Sequence, residues 1–432
     1  MLAGIGIVTI LAVLIGILSK RVSPIVALII FPIIGGILTG HTSGLSIYIS
    51  QGIGTVAPMA AMFLFAILFF GLMSDSGLFR PAVGLIVKTT KGNPASIAVG
   101  TVLLASIVHL DGSGASTFMI AVPALLPLYD RLGMDRRVLA ACVAMAAGVG
   151  NMLPWGGPTI RAATALDIGV MELFMPLLPV YFAGFVSAIV FAWWLGIRES
   201  RRLAGAIGGG GTPETIASDE MTGSEFARFD WRFFANLTIV LLVIVALFTS
   251  ALPPAGAFML GLVAAVLINT PGFTEQEEVL KRHAPAAVTM VAILFAAGVF
   301  TGIMRGSGML EAVSQAGAAI LPEGAAGTIP VWLSLLAMPL SFLFDPDSFY
   351  FGILPVLANI GVDAGVPVEN IAHAALVGQM TTGFPVSPMT PATFLLIGLA
   401  RIELADHQRF SILPLFTISI VMALVGMVLG VI

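Results

Sequence analysis

Residues 94–128 read PASIAVGTVLLASIVHLDGSGASTFMIAVPALLPL, which is two apolar stretches separated by the short polar segment DGSGAST. We call this segment, residues 111–117, the first tip. Glycine adopts backbone conformations that other residues rarely reach, so Gly112 and Gly114 allow the chain to reverse its direction here. The pattern predicts a helical hairpin with a polar tip.

The composition places this hairpin in a membrane. Of the 432 residues, 58% are hydrophobic and 10% are charged, whereas soluble domains contain about 45–50% apolar and 25% charged residues. In lipid an apolar exterior is required. The net charge of -4 offers no basic surface for nucleic acid, and the single cysteine, Cys142, excludes an internal disulfide. We therefore predict an all-α polytopic membrane protein.

Charges, Gly/Pro clusters and polar loops divide the chain into segments that match the membrane thickness, about 20 apolar residues per helix. Two hairpins are predicted near 94–128 and 328–358, and ten crossings near 3–19, 22–40, 54–73, 138–165, 173–196, 233–251, 255–269, 286–304, 370–397 and 411–431. With both termini outside, all but two of the 19 lysines and arginines, Arg161 and Arg305, lie on the inner side. We expect a plasma membrane location, the inner membrane of a bacterium.

Three further segments interrupt apolar stretches in the same way. The second tip is residues 344–349, FDPDSF; the first break is residues 151–159, NMLPWGGPT; the second break is residues 381–391, TTGFPVSPMTP. Interrupted helices expose N-termini, whose free N–H groups and partial positive charge suit a carboxylate. Unpaired backbone inside a membrane costs several kcal/mol per group, so four interruptions indicate a functional site.

A fixed offset of 231 residues relates the two halves of the chain. It carries Gly71, Met73, Ser76, Gly77, Pro154 and Thr159 onto Gly302, Met304, Ser307, Gly308, Pro385 and Thr390. We predict two inverted repeats, residues 1–198 and 231–432, joined by a polar cytoplasmic linker at 199–230. Each repeat has five transmembrane helices and one re-entrant hairpin, with the interrupted helices at the midplane, an architecture of secondary transporters.

Acidic residues at the two tips predict a cation site. An aspartate near the bilayer centre costs about 2.5–3.5 kcal/mol on insertion scales and is functional by default. We assign the cation to Asp111, Ser113, Asp345 and Asp347, and proton coupling to Asp111 and His109. The alternatives are that each carboxylate caps a helix or pairs with Arg161, and that His109 is a packed core residue.

The two breaks and the first tip predict a carboxylate site. Arg161 is suited to bind a carboxylate through two nitrogens, although it is also placed to pair with Asp167. Gly157, Ser387 and Thr390 each precede a proline, the arrangement of a helix N-cap. The predicted anion-binding residues are Ser116, Thr117, Asn151, Gly156, Gly157, Thr159, Arg161, Ser387 and Thr390. We expect the other histidines, His41, His283, His373 and His407, to be solvated.

Three segments carry a resemblance to a known family: residues 111–129, DGSGASTFMIAVPALLPLY; residues 151–163, NMLPWGGPTIRAA; and residues 381–410, TTGFPVSPMTPATFLLIGLARIELADHQRF. In these the chain resembles the citrate–divalent metal:proton symporter (CitMHS) family of the ion-transporter superfamily. The resemblance implies a scaffold and mobile transport units that carry the hairpins. The family's first tip usually reads Asp-Gly-Asp-Gly, and Ser113 replaces its second acid, which leaves both the metal dependence and the metal preference open.

The resemblance implies proton-driven import of citrate or a related tricarboxylate, as a complex with Mg²⁺ or Ca²⁺ as co-substrate, by alternating access. No tightly bound cofactor is expected. The expected partners are the tricarboxylate anion, a divalent cation, protons and membrane lipid, and a homodimer is left open. The alternatives are a sodium-coupled di- or tricarboxylate carrier and a cation/proton antiporter without organic substrate. An enzyme is disfavoured because HExxH is absent and no nucleophile–base pair is evident.

Overall fold

The computed structural model describes residues 1–19, 21–78, 81, 92–206, 230–249, 251–319 and 325–432. Within these ranges the regular structure is helical and no strand occurs, which confirms the predicted all-α class. Several residues that the sequence assigns to the inner side of the membrane lie outside the described residues: Lys20, Arg80, Lys88, Lys91 and the linker segment 207–229.

The helices of the first half are α1 (Leu2–Leu18), α2 (Pro24–Leu38), α3 (Leu45–Asp75), α4 (Pro94–Val108), α5 (Gly114–Arg131), α6 (Arg136–Gly150), α7 (Gly157–Leu166) and α8 (Val170–Ala206). A 3₁₀ turn, His109–Asp111, follows α4 and leads into the first tip. Helix α8 continues through the first residues of the predicted linker, where Arg, Glu, Leu and Ala are good helix formers.

The helices of the second half are α9 (Trp231–Phe248), α10 (Pro254–Asn269), α11 (Phe273–Gly306), α12 (Met309–Ala318), α13 (Ile329–Leu340), α14 (Leu354–Asp363), α15 (Val368–Leu376), α16 (Pro391–Ala400) and α17 (Leu404–Val428). Two 3₁₀ turns, Ala326–Thr328 and Phe384–Val386, and one π-helical turn, Ser348–Ile353, complete this half.

Polar caps set several helix starts. The side chains of Ser23, Asn93 and Asp230 each accept a hydrogen bond from a main-chain N–H of the helix that follows, at 3.4, 2.9 and 2.9 Å. Proline stands directly after two of these caps, at Pro24 and Pro94, where its fixed φ suits the first helical turn and its missing N–H is not needed. These local signals are readable in the sequence.

Many of the helices are long and apolar enough for a bilayer, as expected for a multi-pass membrane protein. Among the described residues six can cross by length and composition: Leu45–Asp75, Pro94–Asp111, Val170–Ala204, Trp231–Phe248, Phe273–Gly306 and Leu404–Val428. Shorter apolar helices, among them α1, α2 and α10, accompany them. The two breaks lie between short helices, α6 and α7 in the first half and α15 and α16 in the second.

Helices α3 and α11 pack together through glycines. A Cβ added to Gly52 would lie 2.0 Å from the carbonyl oxygen of Gly298, and one added to Gly302 would lie 2.3 Å from the carbonyl oxygen of Tyr48. Small residues allow membrane helices to approach this closely, so that main chains are in direct contact. Two long apolar helices, one from each half, therefore form one tightly packed pair.

The two ends of the first hairpin both contact the same end of α8. A Cβ added to Gly196 would lie 2.4 Å from the Cα of Ala95, at the start of α4. Beyond the end of α5, the carbonyl of Gly133 accepts a hydrogen bond from Arg202, at 2.5 Å. In the second half, the turn Ala326–Thr328, which precedes the second hairpin, contacts α14, the helix that follows the second tip.

Replacement of Gly302 by alanine is expected to destabilise the α3–α11 pair. The new methyl group would overlap the carbonyl of Tyr48, and overpacking of this kind costs about 1–3 kcal/mol. The midpoint of thermal unfolding in detergent should fall. Gly54→Ala is the matched control, because nothing lies within 4 Å of its Cβ position and alanine favours helix. Equal midpoints for the two variants would contradict this packing.

Candidate functional site

Hydrogen bonds join the first tip to the first break. The indole Nε1 of Trp155 donates to the carbonyl of Leu110 at 2.7 Å, and Nε2 of His109 lies 3.2 Å from the amide oxygen of Asn151. Gly112 has a left-handed φ of 71°, and a Cβ there would lie 3.0 Å from the carbonyl oxygen of Trp155. The first tip is therefore held directly against the first break.

The two breaks are also in contact. The side-chain amide of Asn151 donates to the carbonyl of Met380, immediately before the second break, at 2.9 Å. Met380 has a φ of 53°, which is uncommon for a residue with a long side chain. Close packing continues nearby, since a Cβ added to Gly148 would lie 3.0 Å from the Cα of Thr382. Asn151 thus links interruptions from opposite halves of the chain.

The second break is tied to the segment around the second tip. The hydroxyl oxygen of Ser341 accepts a hydrogen bond from the main-chain N–H of Met380 at 2.9 Å, and its carbonyl accepts one from the hydroxyl of Ser387 at 2.5 Å. On the other side of the second tip, the hydroxyl of Tyr350 donates to the carbonyl of Gln379 at 2.8 Å. Both arms of the second tip therefore hold the chain that enters the second break.

The first tip and the second break complete the cluster. The ring of Phe118, next to the first tip, stacks on Phe384 with a centroid distance of 5.9 Å and an interplanar angle of 14°. A Cβ added to Gly114 would lie 2.7 Å from the same Phe384 ring. The four interruptions, which are far apart in sequence, lie together in space.

Asp111 and Asp345 stabilise the turns at the two tips. Asp111 accepts hydrogen bonds from the main-chain N–H of Ser113 at 2.8 Å and from the hydroxyl of Ser116. Asp345 accepts from the N–H of Asp347 at 2.9 Å, and from the N–H and the hydroxyl of Ser348 at 3.0 and 2.7 Å. The two carboxylates play equivalent local roles, although the 231-residue offset places Ser113 or Gly114, and not Asp111, opposite Asp345.

Arg161 and Asp347 form a buried ion pair. Nε of Arg161 lies 2.7 Å from Oδ1 of Asp347, and the two side chains are only 8% and 9% exposed. The remaining contacts of the guanidinium are the carbonyl of Gly157 at 3.3 Å and the sulfur of Met290 at 3.7 Å. Asp167, the alternative partner of Arg161, instead lies 3.6 Å from Arg305.

The predicted acids do not form a ready-made metal cage. In the described ranges, no group of three or more His, Cys, Asp or Glu side chains is placed to hold a metal ion. Asp111 and Asp345 are engaged in their turns, and Asp347 is paired with Arg161. A divalent cation in this region would need oxygen ligands that a bound carboxylate anion brings with it.

The predicted anion-binding hydroxyls already donate to groups of the protein. An added carboxylate would have to displace one of these acceptors before a hydroxyl proton is free to bind it. The acceptors are the carboxylate of Asp111 for Ser116 and main-chain carbonyls for Thr117, Thr159, Ser387 and Thr390.

The starts of α7 and α16 offer main-chain donors. Their N-cap residues, Gly156 and Thr390, make no side-chain hydrogen bond to the following turn. Gly157, expected to be a cap, is instead the first residue of α7. Ser387 caps no helix, because Pro388 after it is not helical; its hydroxyl accepts from the N–H of Met389 at 3.0 Å. N–H groups of uncapped first turns suit a carboxylate.

His109 is fully buried and bridges α5 to the first break. Asn151 donates its amide hydrogens toward Met380, so its oxygen faces Nε2 of His109, which must carry a hydrogen. Nδ1 lies 2.8 Å from the hydroxyl of Thr117, and that hydroxyl also lies 2.8 Å from the carbonyl of Ser113. Both ring nitrogens are therefore engaged, one by the first break and the other by α5.

Two histidines expected to be solvated are buried. His407 is fully buried in α17, where Nε2 donates to the carbonyl of Pro385 at 2.9 Å, and the next residue, Gln408, donates to the carbonyl of Val386 at 2.9 Å. His373 lies between the carbonyls of Leu173 and Val431, at 2.9 Å from each. The prediction failed for His407 because its charged neighbours Asp406 and Arg409 indicate a loop, and for His373 because no acid near it in sequence indicated a partner; packing of the helices decides the burial of both.

His407 and Gln408 hold the second break from outside it. The two side chains pin consecutive carbonyls of the 3₁₀ turn Phe384–Val386, the part of the second break that stacks on Phe118. His407 and Gln408 lie within the polar run 406–409, DHQR, and no periodic signal in the sequence distinguishes them. The available signal was this polar run near the start of an otherwise apolar helix.

The sequence matches a known protein family. The family described as citrate transporter, CitMHS, matches residues 2–378. The chain belongs to the citrate transporter family CitMHS. Two relatives from Bacillus subtilis (strain 168) span its full length: a citrate transporter with 38% identity, covering 100% of both chains, and an Mg²⁺/citrate complex secondary transporter with 35% identity, covering 100% of this chain and 99% of the relative.

Solved structures of other transporters share this family member's fold. The YdaH transporter of Alcanivorax borkumensis has a TM-score of 0.64 with 14% identity, and the match covers 90% of each chain. The MtrF efflux pump of Neisseria gonorrhoeae has a TM-score of 0.61 with 12% identity, covering 89% of this chain and 84% of that one. At these identities the likeness concerns the fold alone.

Replacement of His407 by leucine is expected to lower stability. It removes the donor to the buried carbonyl of Pro385, and an unsatisfied buried polar group costs about 1–3 kcal/mol. The unfolding midpoint should fall in a thermal melt of the purified protein. His41→Leu is the control, because His41 is partly exposed and bonds within its own turn, to Thr39. A melt in which both variants match the native protein would disprove the role of His407.

Proposed function

We propose that the chain is a secondary transporter that imports citrate or a related tricarboxylate, as a complex with a divalent metal ion, coupled to protons and by alternating access. The observation that carries this proposal is the convergence of four interrupted helical segments around the buried pair of Arg161 and Asp347. A cluster with one buried cation, one buried anion and uncapped helix starts has the groups that a metal–carboxylate complex requires.

The anion side of the site is assigned to Arg161 and the starts of α7 and α16. Gly157 leaves its main-chain N–H group at the first of these starts, whereas the N–H of Gly156 donates to the carbonyl of Leu153 at 2.7 Å and would have to change acceptor. Thr390 precedes the second start. Ser116, Thr117, Asn151, Thr159 and Ser387 are proposed to orient the anion, with hydroxyl and amide groups that change acceptors when it binds. Arg161 is the group with full positive charge and therefore contributes most to selection of an anion.

The cation side is assigned to the acids of the two tips, Asp111, Asp345 and Asp347, with Ser113 beside them. Their oxygens are hard ligands of the kind that Mg²⁺ and Ca²⁺ prefer. The relative from Bacillus subtilis described as an Mg²⁺/citrate complex secondary transporter supports a metal complex as the substrate. Because citrate carries a charge close to -3 at neutral pH, a divalent ion lowers the charge that must cross the membrane.

Two inverted repeats are proposed as the basis of alternating access. Helices α7 and α16 are both ten residues long, and each is followed by a residue in the left-handed conformation, Asp167 with φ 62° and Arg401 with φ 55°. Gly77 and Gly308, related by the 231-residue offset, have φ of 77° and 72°. The return of the chain to one end of α8 supports a re-entrant first hairpin.

The proposed topology also agrees with three contacts that charged residues make. Asp75 lies 2.8 Å from Arg282, Asp167 lies 3.6 Å from Arg305, and the guanidinium of Arg137 lies 5.4 Å from the ring centre of Phe410. In each pair the sequence topology puts both residues on the same side of the membrane. The proposed orientation, with both termini outside, follows from the positive-inside rule.

Proton coupling is proposed to involve Asp111 and His109, which lie at the first tip. A sodium-coupled carrier is the principal alternative, because the same interrupted helices offer carbonyl oxygens that suit Na⁺. A cation/proton antiporter without organic substrate is the second alternative, in which the acids exchange ions and the helix starts are structural.

Uptake by the reconstituted protein is expected to require citrate, a divalent ion and a proton gradient together. Radiolabelled citrate is measured in proteoliposomes with Mg²⁺, with Ca²⁺ or with a chelator, under an imposed inward proton gradient. Empty liposomes are the control. Uptake driven by a sodium gradient alone would favour the sodium-coupled carrier. Absence of citrate uptake, with proton-driven cation exchange, would favour the antiporter.

Cysteine labelling is expected to place the first tip within the membrane. The only native cysteine, Cys142, is fully buried, so an introduced cysteine reports with little background. Ser113→Cys should react with membrane-impermeant maleimide at a rate that citrate with Mg²⁺ lowers, whereas Gly40→Cys in the loop after α2 should react at an unchanged rate. A Ser113→Cys protein that reacts as fast as the loop control, with or without substrate, would rule out a buried tip.

A further inference from the structure

We propose that the substrate complex binds by exchanging partners with the buried ion pair. A carboxylate of the anion replaces Asp347 at the guanidinium of Arg161, while the divalent cation replaces Arg161 at the carboxylate of Asp347. The inference rests on the proposed function and adds the device by which the site selects a metal-complexed anion over the free anion.

The pair is a single contact between groups that each have unused bonding capacity. Only Nε of Arg161 meets Asp347, through Oδ1, whereas a guanidinium and a carboxylate can form two parallel hydrogen bonds. Nη2 of Arg161 has the sulfur of Met290 as its partner, at 3.7 Å, and a thioether is a weak acceptor. Within the described ranges, Oδ2 of Asp347 accepts no hydrogen bond. Nη2 of Arg161 and Oδ2 of Asp347 are therefore the atoms that can bind a new ligand.

Asp347 differs from the other acids of the tips in this respect. Asp111 and Asp345 each hold a turn through two or more hydrogen bonds from neighbouring main-chain and hydroxyl groups. Asp347 has no such turn role, and its side chain points to a helix of the other half of the chain. It is the acid that can change partners without loss of a tip's local structure.

Burial makes a one-sided exchange costly. Both side chains are less than a tenth exposed, and removal of one partner from a buried pair leaves a charge without compensation. A free citrate anion that took Arg161 would leave the Asp347 carboxylate unpaired beside further negative charge. A divalent ion alone would leave Arg161 unpaired beside further positive charge. The complex supplies both new partners in one step, so no buried charge remains unpaired.

The exchange has a thermodynamic consequence. The affinities for citrate and for the metal ion are coupled through the same pair, so each ligand raises the affinity for the other by an equal factor. The coupling depends on Asp347: without its carboxylate, the free anion no longer has to displace a counter-ion. Loss of Asp347 should therefore weaken binding of the complex and strengthen binding of free citrate, a pair of opposite changes that general misfolding does not produce.

The test is equilibrium binding of radiolabelled citrate to purified protein, with excess Mg²⁺ or with EDTA. For the native protein the Kd with EDTA should exceed the Kd with Mg²⁺. In Asp347→Asn this ratio should fall by about tenfold or more, with the Kd for free citrate decreasing. Asp130→Asn is the matched control, since it removes the acid of an exposed pair with Arg136 and should leave the ratio unchanged.

A double variant covers the case in which Asp347→Asn does not fold. Arg161→Gln with Asp347→Asn leaves no unpaired buried charge, and its ratio should be close to one. A ratio that stays at the native value in a folded single or double variant would overturn the exchange and leave the proposed function intact. A native protein that binds citrate in neither condition would overturn both.

Discussion

The structure depends on the need of every main-chain polar group inside a membrane to find a partner within the protein. Four segments of this chain leave the helical conformation, and each would be costly in isolation. They are stable because they satisfy one another: Asn151 of the first break holds the carbonyl of Met380, and Ser341 next to the second tip holds the N–H of the same residue. The convergence of tips and breaks is thus a consequence of hydrogen-bond satisfaction, and the same convergence creates a polar region in an otherwise apolar protein.

The charged side chains of this region also find their partners within the protein. Three aspartates and one arginine were candidates for ligands, and the structure gives each a partner. Asp111 and Asp345 are stabilised by hydrogen bonds within their own turns, and Asp347 is paired with the opposite charge of Arg161. The chain belongs to the citrate transporter family. A carrier of an ionic substrate must bind the substrate with charged groups and must pair those groups with one another when the substrate is absent.

The rigid surroundings complement this polar region. Glycine contacts between α3 and α11 bring main chains of the two halves together, and the side chains of His407 and Gln408 fix the second break from α17. These contacts come from helices that surround the tips and breaks. Their role is to fix the position of the interrupted segments, which is why changes in them are expected to act on stability.

The sequence by itself determined the helical class, the membrane environment, the four interruptions and the family, because hydropathy, Gly/Pro punctuation and short motifs are local properties of the chain. It also identified Asp111, His109, Asn151 and Arg161 as residues of interest, since polar side chains stand out in apolar surroundings. Only the tertiary structure decided their partners. The choice of Asp347 over Asp167 for Arg161, the link from Asn151 to Met380 and the burial of His407 each join residues far apart in the chain. Such contacts depend on how helices pack, and no local pattern of residues encodes the distance between two side chains on different helices.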